Sequence, residues 1–234
     1  MKTVLITGSS RGIGLGLVKE YVKNGYKVVA TCRDPETASD LKSTLAETNQ
    51  PSAIALDVAS DDSIFKAAEE VSKIVDSIDI LINNAGVAAK NHPNDPAIGV
   101  DREDALRVYS TNVIGPLKVT EAFLPLLRKG NEKKVVIISS LLGSIANCKG
   151  GRTTYSCSKA AVNMATMCLS REVTDLTFAT LHPGHVQTDM GSSGGRSAPV
   201  TVEESALGMY NVISKLKMED SGLFCDWNGC KLPW

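Results

Sequence analysis

The chain has 234 residues, a formal net charge of −1 and a hydrophobic fraction of 43%. This length suits one α/β domain, and the near-neutral charge excludes the basic footprint of a nucleic-acid-binding protein. No apolar run reaches the roughly 18 residues of a membrane helix, and an apolar strand beginning near residue 3 leaves no room for a signal peptide. The six cysteines form no paired motif, which favours reduced thiols and a cytoplasmic protein.

Apolar runs alternate with segments of helical periodicity along the chain. The predicted strands are residues 4–6, 27–32, 53–56, 79–82, 134–140 and 176–181, followed by a hairpin at 223–232 that turns at Asn228-Gly229. The predicted helices are residues 15–22, 34–48, 61–75, 102–129, 153–172 and 202–216. Asp34 and Pro35 open the second helix as its N-cap and first residue. Ser60 or Asp61 caps the third, and Gly115-Pro116 kinks or tightens the fourth.

The predicted strands are continuous apolar runs, as expected when helices cover both faces of a sheet. The sequence therefore predicts an α/β fold with a doubly wound, mainly parallel sheet of about seven strands, flanked by helices on both faces. No break in composition marks a second domain, so we expect residues 1–234 to form a single domain.

The first strand and helix are joined by Thr7-Gly8-Ser9-Ser10-Arg11-Gly12-Ile13-Gly14. Glycine allows a sharp turn and lets a phosphate approach the backbone without a Cβ atom in the way. The following helix begins with free N–H groups and the positive end of its dipole, which suits a pyrophosphate. The spacing G-x-x-x-G-x-G differs from the G-x-G-x-x-G fingerprint, so a purely structural turn is the alternative interpretation.

Small or hydrogen-bonding residues follow each strand at its carboxyl end, where ligands bind in sheets of this kind. They are Gly8 to Gly14, Arg33, Asp57, Asn83 to Gly86, Ser139-Ser140 and Pro183-Gly184. Each alone would be an ordinary loop residue, whereas six such strand ends together indicate a binding cleft.

Tyr155 and Lys159 lie four residues apart near the start of the helix at 153–172, so they share a face. An ammonium beside a phenol favours the phenolate and lowers the pKa of the phenol from about 10 toward neutrality. Such a tyrosine can transfer a proton near physiological pH, and a serine hydroxyl from a neighbouring strand end could bind the same substrate oxygen. Taken by itself, this spacing is also compatible with a Tyr–Lys pair that is exposed to solvent and has no catalytic role.

Together, these motifs resemble the short-chain dehydrogenase/reductase family. The matching residues, in the family's order, are Thr7-Gly8, Gly12, Gly14, Asp57, Asn83 to Gly86, Asn112, Ser140, Tyr155, Lys159, Pro183-Gly184 and Thr188. Residues 30–35, 142–145 and 226–234 look like the carbonyl-reductase-like branch, which includes sniffer and C-factor proteins. The resemblance implies a Rossmann fold and hydride transfer with a nicotinamide cofactor.

By this resemblance, Tyr155 would protonate the developing alkoxide as general acid, while Lys159 would bind the cofactor ribose and lower the pKa of Tyr155. Ser140 would orient the carbonyl, and Asn112 would hold a water in a proton relay to Lys159 through a local helix distortion. The implied cofactor contacts are Gly8, Ser10, Arg11, Gly12, Ile13 and Gly14 at the turn, Asp57 and Val58 at the adenine, Asn83, Ala85 and Gly86 at the adenosine ribose, Tyr155 and Lys159, and Pro183, Gly184, Val186 and Thr188 at the nicotinamide half.

Two features depart from the family pattern. Ser140 precedes Tyr155 by slightly more than the common gap, so the residues around 147–152 would form a longer loop at the site. Ser139 competes with Ser140, since strand alternation turns only one of the two toward the substrate; Ser140 is favoured. His185 stands where an apolar or aromatic residue is frequent; it could touch substrate, but we expect a loop residue that modulates the pocket.

An NAD site usually has an acidic residue at the end of the second strand, where it binds the ribose 2′-hydroxyl. Here that position reads Ala30-Thr31-Cys32-Arg33. Arg33, and Arg11 from the glycine turn, could instead pair with a 2′-phosphate. We therefore predict NADP(H) as the cofactor. The alternative is that either arginine is only exposed to solvent and binds no phosphate.

The segment between Thr188 and Val202 is short and rich in Ser and Gly, which predicts an open site for small aldehydes, ketones or quinones. The favoured function is NADPH-dependent carbonyl reduction. A nucleotide-sensing or signalling protein with little turnover is the alternative, and alcohol oxidation would use the same residues.

We expect a homodimer or homotetramer formed through helices 102–129 and 153–172, with no nucleic-acid or membrane partner. No arrangement of the three histidines with thiols or carboxylates resembles a metal site. The remaining His and Met residues, including Met164 and Met167, are expected to pack in the core.

Overall fold

A computed structural model describes residues 1–234 and contains one sheet of seven strands. β1 covers Thr3–Thr7, β2 Lys27–Cys32, β3 Ile54–Ala55, β4 Ile80–Asn83, β5 Lys134–Ile138, β6 Thr177–His182 and β7 Leu223–Asp226. All neighbours pair in parallel, in the order β3-β2-β1-β4-β5-β6-β7. The doubly wound sheet is confirmed, and its strand order reverses between β1 and β4.

Seven α-helices connect these strands. α1 covers Gly12–Lys23, α2 Ser39–Glu47, α3 Asp61–Ser72, α4 Arg102–Tyr109, α5 Gly115–Lys129, α6 Thr153–Glu172 and α7 Val202–Lys215. None of them combines the length and the apolar character that a membrane-spanning segment needs.

Alternate strand residues enter two separate cores, because successive side chains point to opposite faces of a sheet. Val4 and Ile6 of β1 pack with α1 and α7 on one face, whereas Leu5 packs with α3 and α5 on the other. Helices on both faces therefore account for the continuous apolar strands of the sequence.

α2 begins at Ser39, later than predicted. The Asp34 carboxylate accepts the Glu36 N–H at 3.2 Å, so Asp34 closes a tight turn instead of capping the helix. A short acidic side chain competes in this way with helical hydrogen bonds. In contrast, Ser60 caps α3 and accepts the Ser63 N–H at 3.3 Å.

The predicted helix at 102–129 is divided by a π-helical segment, Ser110–Ile114, that precedes Gly115-Pro116. Gly115 serves packing, because a Cβ atom there would lie 2.8 Å from the Val58 carbonyl oxygen. π-Helical turns are frequent at functional sites, and this one contains Asn112.

β7 pairs in parallel with β6, and the chain then turns at Asn228-Gly229. The returning segment makes one antiparallel bridge, between Cys225 and Lys231, so the predicted hairpin forms only in part. The Asp226 carboxylate accepts the Cys230 N–H at 2.9 Å, which closes the turn without a longer ladder.

Candidate active site

A cleft of about 920 Å³ opens at the carboxyl ends of the strands, across the point where the strand order reverses. Most of the residues predicted for the site line it. They are Gly8, Ser10, Arg11, Gly12, Ile13, Gly14, Arg33, Asp57, Val58, Ala85, Gly86, Ser140, Tyr155, Lys159, Pro183, Gly184, Val186 and Thr188. Asn83 and Asn112 lie outside the lining of the cleft.

The glycine turn packs tightly against the end of β4. Gly8 has a φ of +68°, and a Cβ atom on it would lie 2.8 Å from Cα of Ala85. The Thr7 hydroxyl oxygen accepts the N–H groups of Asn84 and Ala85, both at 3.1 Å, which fixes the two strand ends together. No side chain caps the first turn of α1, so its N–H groups are free for a phosphate. The turn therefore fits the pyrophosphate of a dinucleotide.

The side chain of Asn83 is directed away from the cleft. It is buried, and its amide nitrogen donates to the Thr120 hydroxyl of α5 at 3.3 Å. Asn84 lies on the cleft side instead and donates to the carbonyl oxygens of Thr7 and Gly8 at 2.9 and 3.1 Å. Asn83 and Asn84 point in opposite directions because successive side chains of a strand face opposite sides of the sheet. Of Asn83, only the main chain could therefore make the predicted contact with a cofactor.

Asn112 holds the loop after β4 against α6. Its Oδ1 atom accepts the Val87 N–H at 2.9 Å, and its amide donates to the Val87 carbonyl at 2.9 Å and the Ser158 hydroxyl at 3.0 Å. A Cβ atom added to Gly86 would lie 3.4 Å from Asn112 Oδ1 and 3.6 Å from Lys159 Nζ. Asn112 thus lies directly behind the wall of the cleft, beside Lys159.

Tyr155 and Lys159 face the cleft from α6. The Lys159 ammonium donates to the Ile138 carbonyl at 2.8 Å and lies 5.6 Å from the centroid of the Tyr155 ring. Burial lowers the pKa of Lys159 to about 8. Burial also raises the pKa of Tyr155 to about 12, although the Ser140 hydroxyl opposes this shift. The expected lowering of the phenol pKa toward neutrality is wrong for this structure, because burial outweighs the neighbouring groups.

The two serines after β5 point in different directions. The Ser139 hydroxyl donates to Asn163 Oδ1 of α6 at 2.6 Å and is thereby buried in the protein. The Ser140 hydroxyl accepts the Leu142 N–H at 3.1 Å and faces the Tyr155 phenol. Both serines line the cleft, but only the Ser140 hydroxyl faces the Tyr155 phenol, as expected if successive side chains point in opposite directions.

His185 ties down the segment that follows β6. Its Nε2 atom is 2.8 Å from the Gly191 carbonyl oxygen, and Val186 forms a parallel bridge with Val200. These contacts hold residues 186–200 along one side of the cleft. His185 thus shapes the pocket wall.

Among the side chains that line the cleft, His92, Arg152 and Arg196 were not predicted as site residues, although residues 147–152 were expected to form a loop at the site. The loops that carry them have no periodicity, so the sequence holds no signal of where they meet. His92 and His182, which were expected to pack in the core, line the cleft together with His185. Met164 is 65% exposed on α6, which also contradicts the expected core position.

A doubly wound sheet, an uncapped glycine turn at its switch point and a Tyr–Lys pair that faces the cleft together define an α/β oxidoreductase that binds a dinucleotide. Residues 2–197 match the family model for short chain dehydrogenase. The protein belongs to this family, as its motifs predicted.

Two similar solved structures match the whole chain. A carbonyl reductase from chicken fatty liver, with NADPH bound, is 36% identical with a TM-score of 0.92, and the match covers 100% of this chain and 99% of that one. The carbonyl reductase Sniffer of D. melanogaster is 33% identical with a TM-score of 0.91, over 100% of both chains. The C-signal protein of Myxococcus xanthus is 44% identical over 161 residues, 67% of this chain and 93% of that protein. The predicted resemblance to the carbonyl-reductase-like branch is confirmed.

Proposed function

We propose that this protein is an NADPH-dependent carbonyl reductase with Tyr155 as its general acid. The observation that carries the proposal is the meeting of three side chains in the cleft. The Tyr155 phenol faces the Ser140 hydroxyl, and the Lys159 ammonium lies 5.6 Å from the phenol ring. Two similar solved proteins are carbonyl reductases, one of them with NADPH bound, which supports both the reaction and the cofactor.

Carbonyl reduction needs a proton at the carbonyl oxygen as negative charge develops there. NADPH supplies the hydride when bound. The raised pKa of Tyr155 keeps the proton on the phenol at neutral pH, where it is available for transfer. Ser140 donates a hydrogen bond to the same oxygen and orients it. Lys159, whose pKa is about 8, stays charged at pH 7 and stabilises the phenolate that remains.

The cofactor would lie across the whole cleft. Its pyrophosphate would be held by Gly8, Ser10, Gly12, Ile13 and Gly14, and its adenine by Asp57 and Val58. The adenosine ribose would contact Ala85, Gly86 and the main chain of Asn83. The nicotinamide half would contact Pro183, Gly184, Val186 and Thr188. Lys159 would bind the ribose beside the reacting carbon.

Arg33 and Arg11 would bind the 2′-phosphate. Arg33 is exposed at the cleft, directly after β2, with no carboxylate oxygen within 4.0 Å of its nitrogens. Arg11 lies 3.5 Å from the exposed Asp189, a solvated pair that a phosphate can replace. An arginine where an NAD site has an acid supports NADPH over NADH.

Both amide hydrogens of Asn112 are donated, to Val87 and Ser158. We therefore assign the relay water to the main-chain carbonyl oxygens of the π-helical segment, Ser110–Ile114, beside Lys159. Asn112 would then act by holding this segment in place.

Small aldehydes, ketones or quinones are the proposed substrates, because the segment between Thr188 and Val202 is short and contains only one 3₁₀ turn. Residues 1–234 would act as one dinucleotide-binding and catalytic domain. Six free thiols support a cytoplasmic protein. Exposed Leu106, Tyr109 and Met164 on α4 and α6 support a homodimer, or a homotetramer, formed through these helices.

A cofactor-binding signalling protein with little turnover is the second candidate, and the likeness to the C-signal protein favours it. NADPH oxidation at 340 nm with a panel of aldehydes, ketones and quinones separates the two. Turnover that Tyr155→Phe abolishes supports the reductase. NADPH binding without turnover on any member of the panel contradicts the reductase and supports the signalling protein.

A further inference from the structure

Three basic side chains adjoin Tyr155, and the proposed reaction uses none of them. His92, Arg152 and Arg196 form this group, which we name the basic cluster. The His92 ring lies 5.6 Å from the Tyr155 ring, centroid to centroid, and its Nε2 atom is 3.1 Å from an Arg196 Nη atom. Arg152 directly precedes α6, the helix that carries Tyr155. The cluster therefore lies beside the site of proton transfer.

No acidic side chain neutralises the cluster. Neither Arg152 nor Arg196 has a carboxylate oxygen within 4.0 Å of its side-chain nitrogens. The negative charge of Asp95 opposes the lowering of the His92 pKa. The Asp95 carboxylate is nevertheless engaged by Thr154, because it accepts the Thr154 N–H at 2.6 Å and the Thr154 hydroxyl at 3.1 Å. Burial, and after it the charge of Arg152, lowers the pKa of Arg196, so the two guanidinium groups repel each other. A bound anion would relieve this repulsion.

Two buried atoms of the cluster lack hydrogen-bond partners. One is Nε of Arg152. The other is Nδ1 of His92, which carries the proton because Nε2 accepts from Arg196. Burial and the two arginines lower the pKa of His92, which keeps this ring neutral at pH 7. Buried donors without acceptors are costly, so the cluster suits a ligand rich in acceptor oxygens.

Arg196 is held in place by the segment that carries it. Its guanidinium donates to the carbonyl oxygens of Ser193 and Met190, both at 3.0 Å. A charged group that is already oriented loses little entropy when it binds an anion.

We propose that the substrate carries an anionic oxygen group, a carboxylate or a phosphate, in addition to its carbonyl, and that Arg152 and Arg196 bind this group. The inference rests on the proposed carbonyl reduction and narrows its substrates to anionic aldehydes and ketones. Nε and one Nη of Arg196 are engaged within the protein, so its other Nη, together with the guanidinium of Arg152, is left to bind the paired oxygens of either anion.

The test compares three aldehydes as substrates of the protein with NADPH: 4-carboxybenzaldehyde, its neutral methyl ester and 4-formylphenyl phosphate. We expect kcat/KM of the wild type to be at least about 10-fold higher for one anion than for the ester, which also identifies the preferred anion. Arg152→Gln and Arg196→Gln should each lower this ratio at least about 10-fold. Since all three aldehydes use Tyr155, the ratio cancels any effect on proton transfer.

Two further variants separate charge from structure. Arg152→Lys should retain most of the ratio, because the positive charge remains. Arg171→Gln, in the last turn of α6, is the matched control and should leave the ratio unchanged. A ratio near one in the wild type, or a ratio that neither Arg152→Gln nor Arg196→Gln changes, overturns the inference while carbonyl reduction stands.

If the wild type reduces none of the three aldehydes, the proposed function fails on this panel, and a binding measurement tests the basic cluster separately. Titration calorimetry of terephthalate into the NADP⁺-loaded protein avoids the phosphate sites, because the cofactor fills them. The inference expects binding that weakens at least about 10-fold in Arg152→Gln and Arg196→Gln and not in Arg171→Gln. No binding, or equal affinity in all variants, contradicts it.

Discussion

The Lys159 ammonium donates a hydrogen bond to the main-chain carbonyl oxygen of Ile138 at 2.8 Å, at the carboxyl end of β5. Ile138 directly precedes Ser139 and Ser140, so this bond fixes the proposed catalytic helix to the strand that carries the proposed catalytic serine. The carbonyl positions the ammonium without offering it a full negative charge. Burial consequently lowers the pKa of Lys159 to about 8.

The pH dependence of carbonyl reduction follows from this contact. Below pH 8 Lys159 is charged, and Tyr155, with a pKa of about 12, holds its proton. Above pH 8 Lys159 loses its charge, and the phenolate formed by proton transfer loses its stabilising partner. We predict that kcat/KM for reduction is level from about pH 6 to about pH 7.5 and falls above about pH 8. A profile that stays level up to pH 10 would contradict this assignment.

Ser140 and Ser139 should separate catalysis from stability. Ser140→Ala removes a donor to the substrate oxygen, and we predict a loss of about 100-fold in kcat/KM. Ser139→Ala leaves Asn163 Oδ1 without the 2.6 Å hydrogen bond, so it should lower the free energy of unfolding by about 1–3 kcal/mol and leave kcat/KM nearly unchanged. Steady-state kinetics and urea unfolding of both variants measure the two effects; reversed outcomes would make Ser139 the active serine.

Arg33 should determine which nicotinamide cofactor binds. We predict that Arg33→Ala weakens NADPH binding about 10- to 100-fold and leaves NADH binding nearly unchanged, because only NADPH carries the 2′-phosphate. Cofactor fluorescence titrations give both dissociation constants, with Arg171→Ala as the control. Equal affinity of the wild type for the two cofactors, unchanged in Arg33→Ala, contradicts the assignment.

His182 should make the fold sensitive to acid. It is partly buried on the wall of the cleft, its Nδ1 atom has no partner, and burial lowers its pKa from 6.5 to about 4. Because the folded-state pKa is the lower one, the unfolded chain binds the proton first, and stability falls as the pH drops from about 6.5 toward 4. The contribution of His182 between pH 7 and pH 5 is about 2 kcal/mol. Urea unfolding should show that His182→Asn loses about 2 kcal/mol less than the wild type over this range; an equal loss in both would exclude His182.

The backbone parts of the site were predictable because they are local. The glycine turn follows from the order of strand, glycines and helix, and the cleft follows from the parallel strands whose ends meet at one edge. Alternation favoured Ser140 over Ser139 as the serine that faces the substrate, and the hydrogen bond of the Ser139 hydroxyl to Asn163 of α6, which the sequence does not show, supports that choice.

Other parts depend on tertiary structure and were therefore beyond the sequence. The pKa of Tyr155 depends on burial, which the spacing to Lys159 does not contain. The basic cluster brings together His92, Arg152 and Arg196 from three irregular loops, and His92 and Arg196 are 104 residues apart in the chain. Asn83 was assigned to the cofactor site by resemblance to the family, but its side chain turns toward Thr120 instead of the cleft.

Tyr155 as the proton donor is the central claim, and its most direct test is the kcat of Tyr155→Phe for carbonyl reduction, measured together with its dissociation constant for NADPH. The variant keeps the ring and loses only the hydroxyl. We predict that kcat falls at least about 100-fold while NADPH affinity changes less than about 3-fold. A Tyr155→Phe protein that retains kcat within about 10-fold of the wild type would contradict the account.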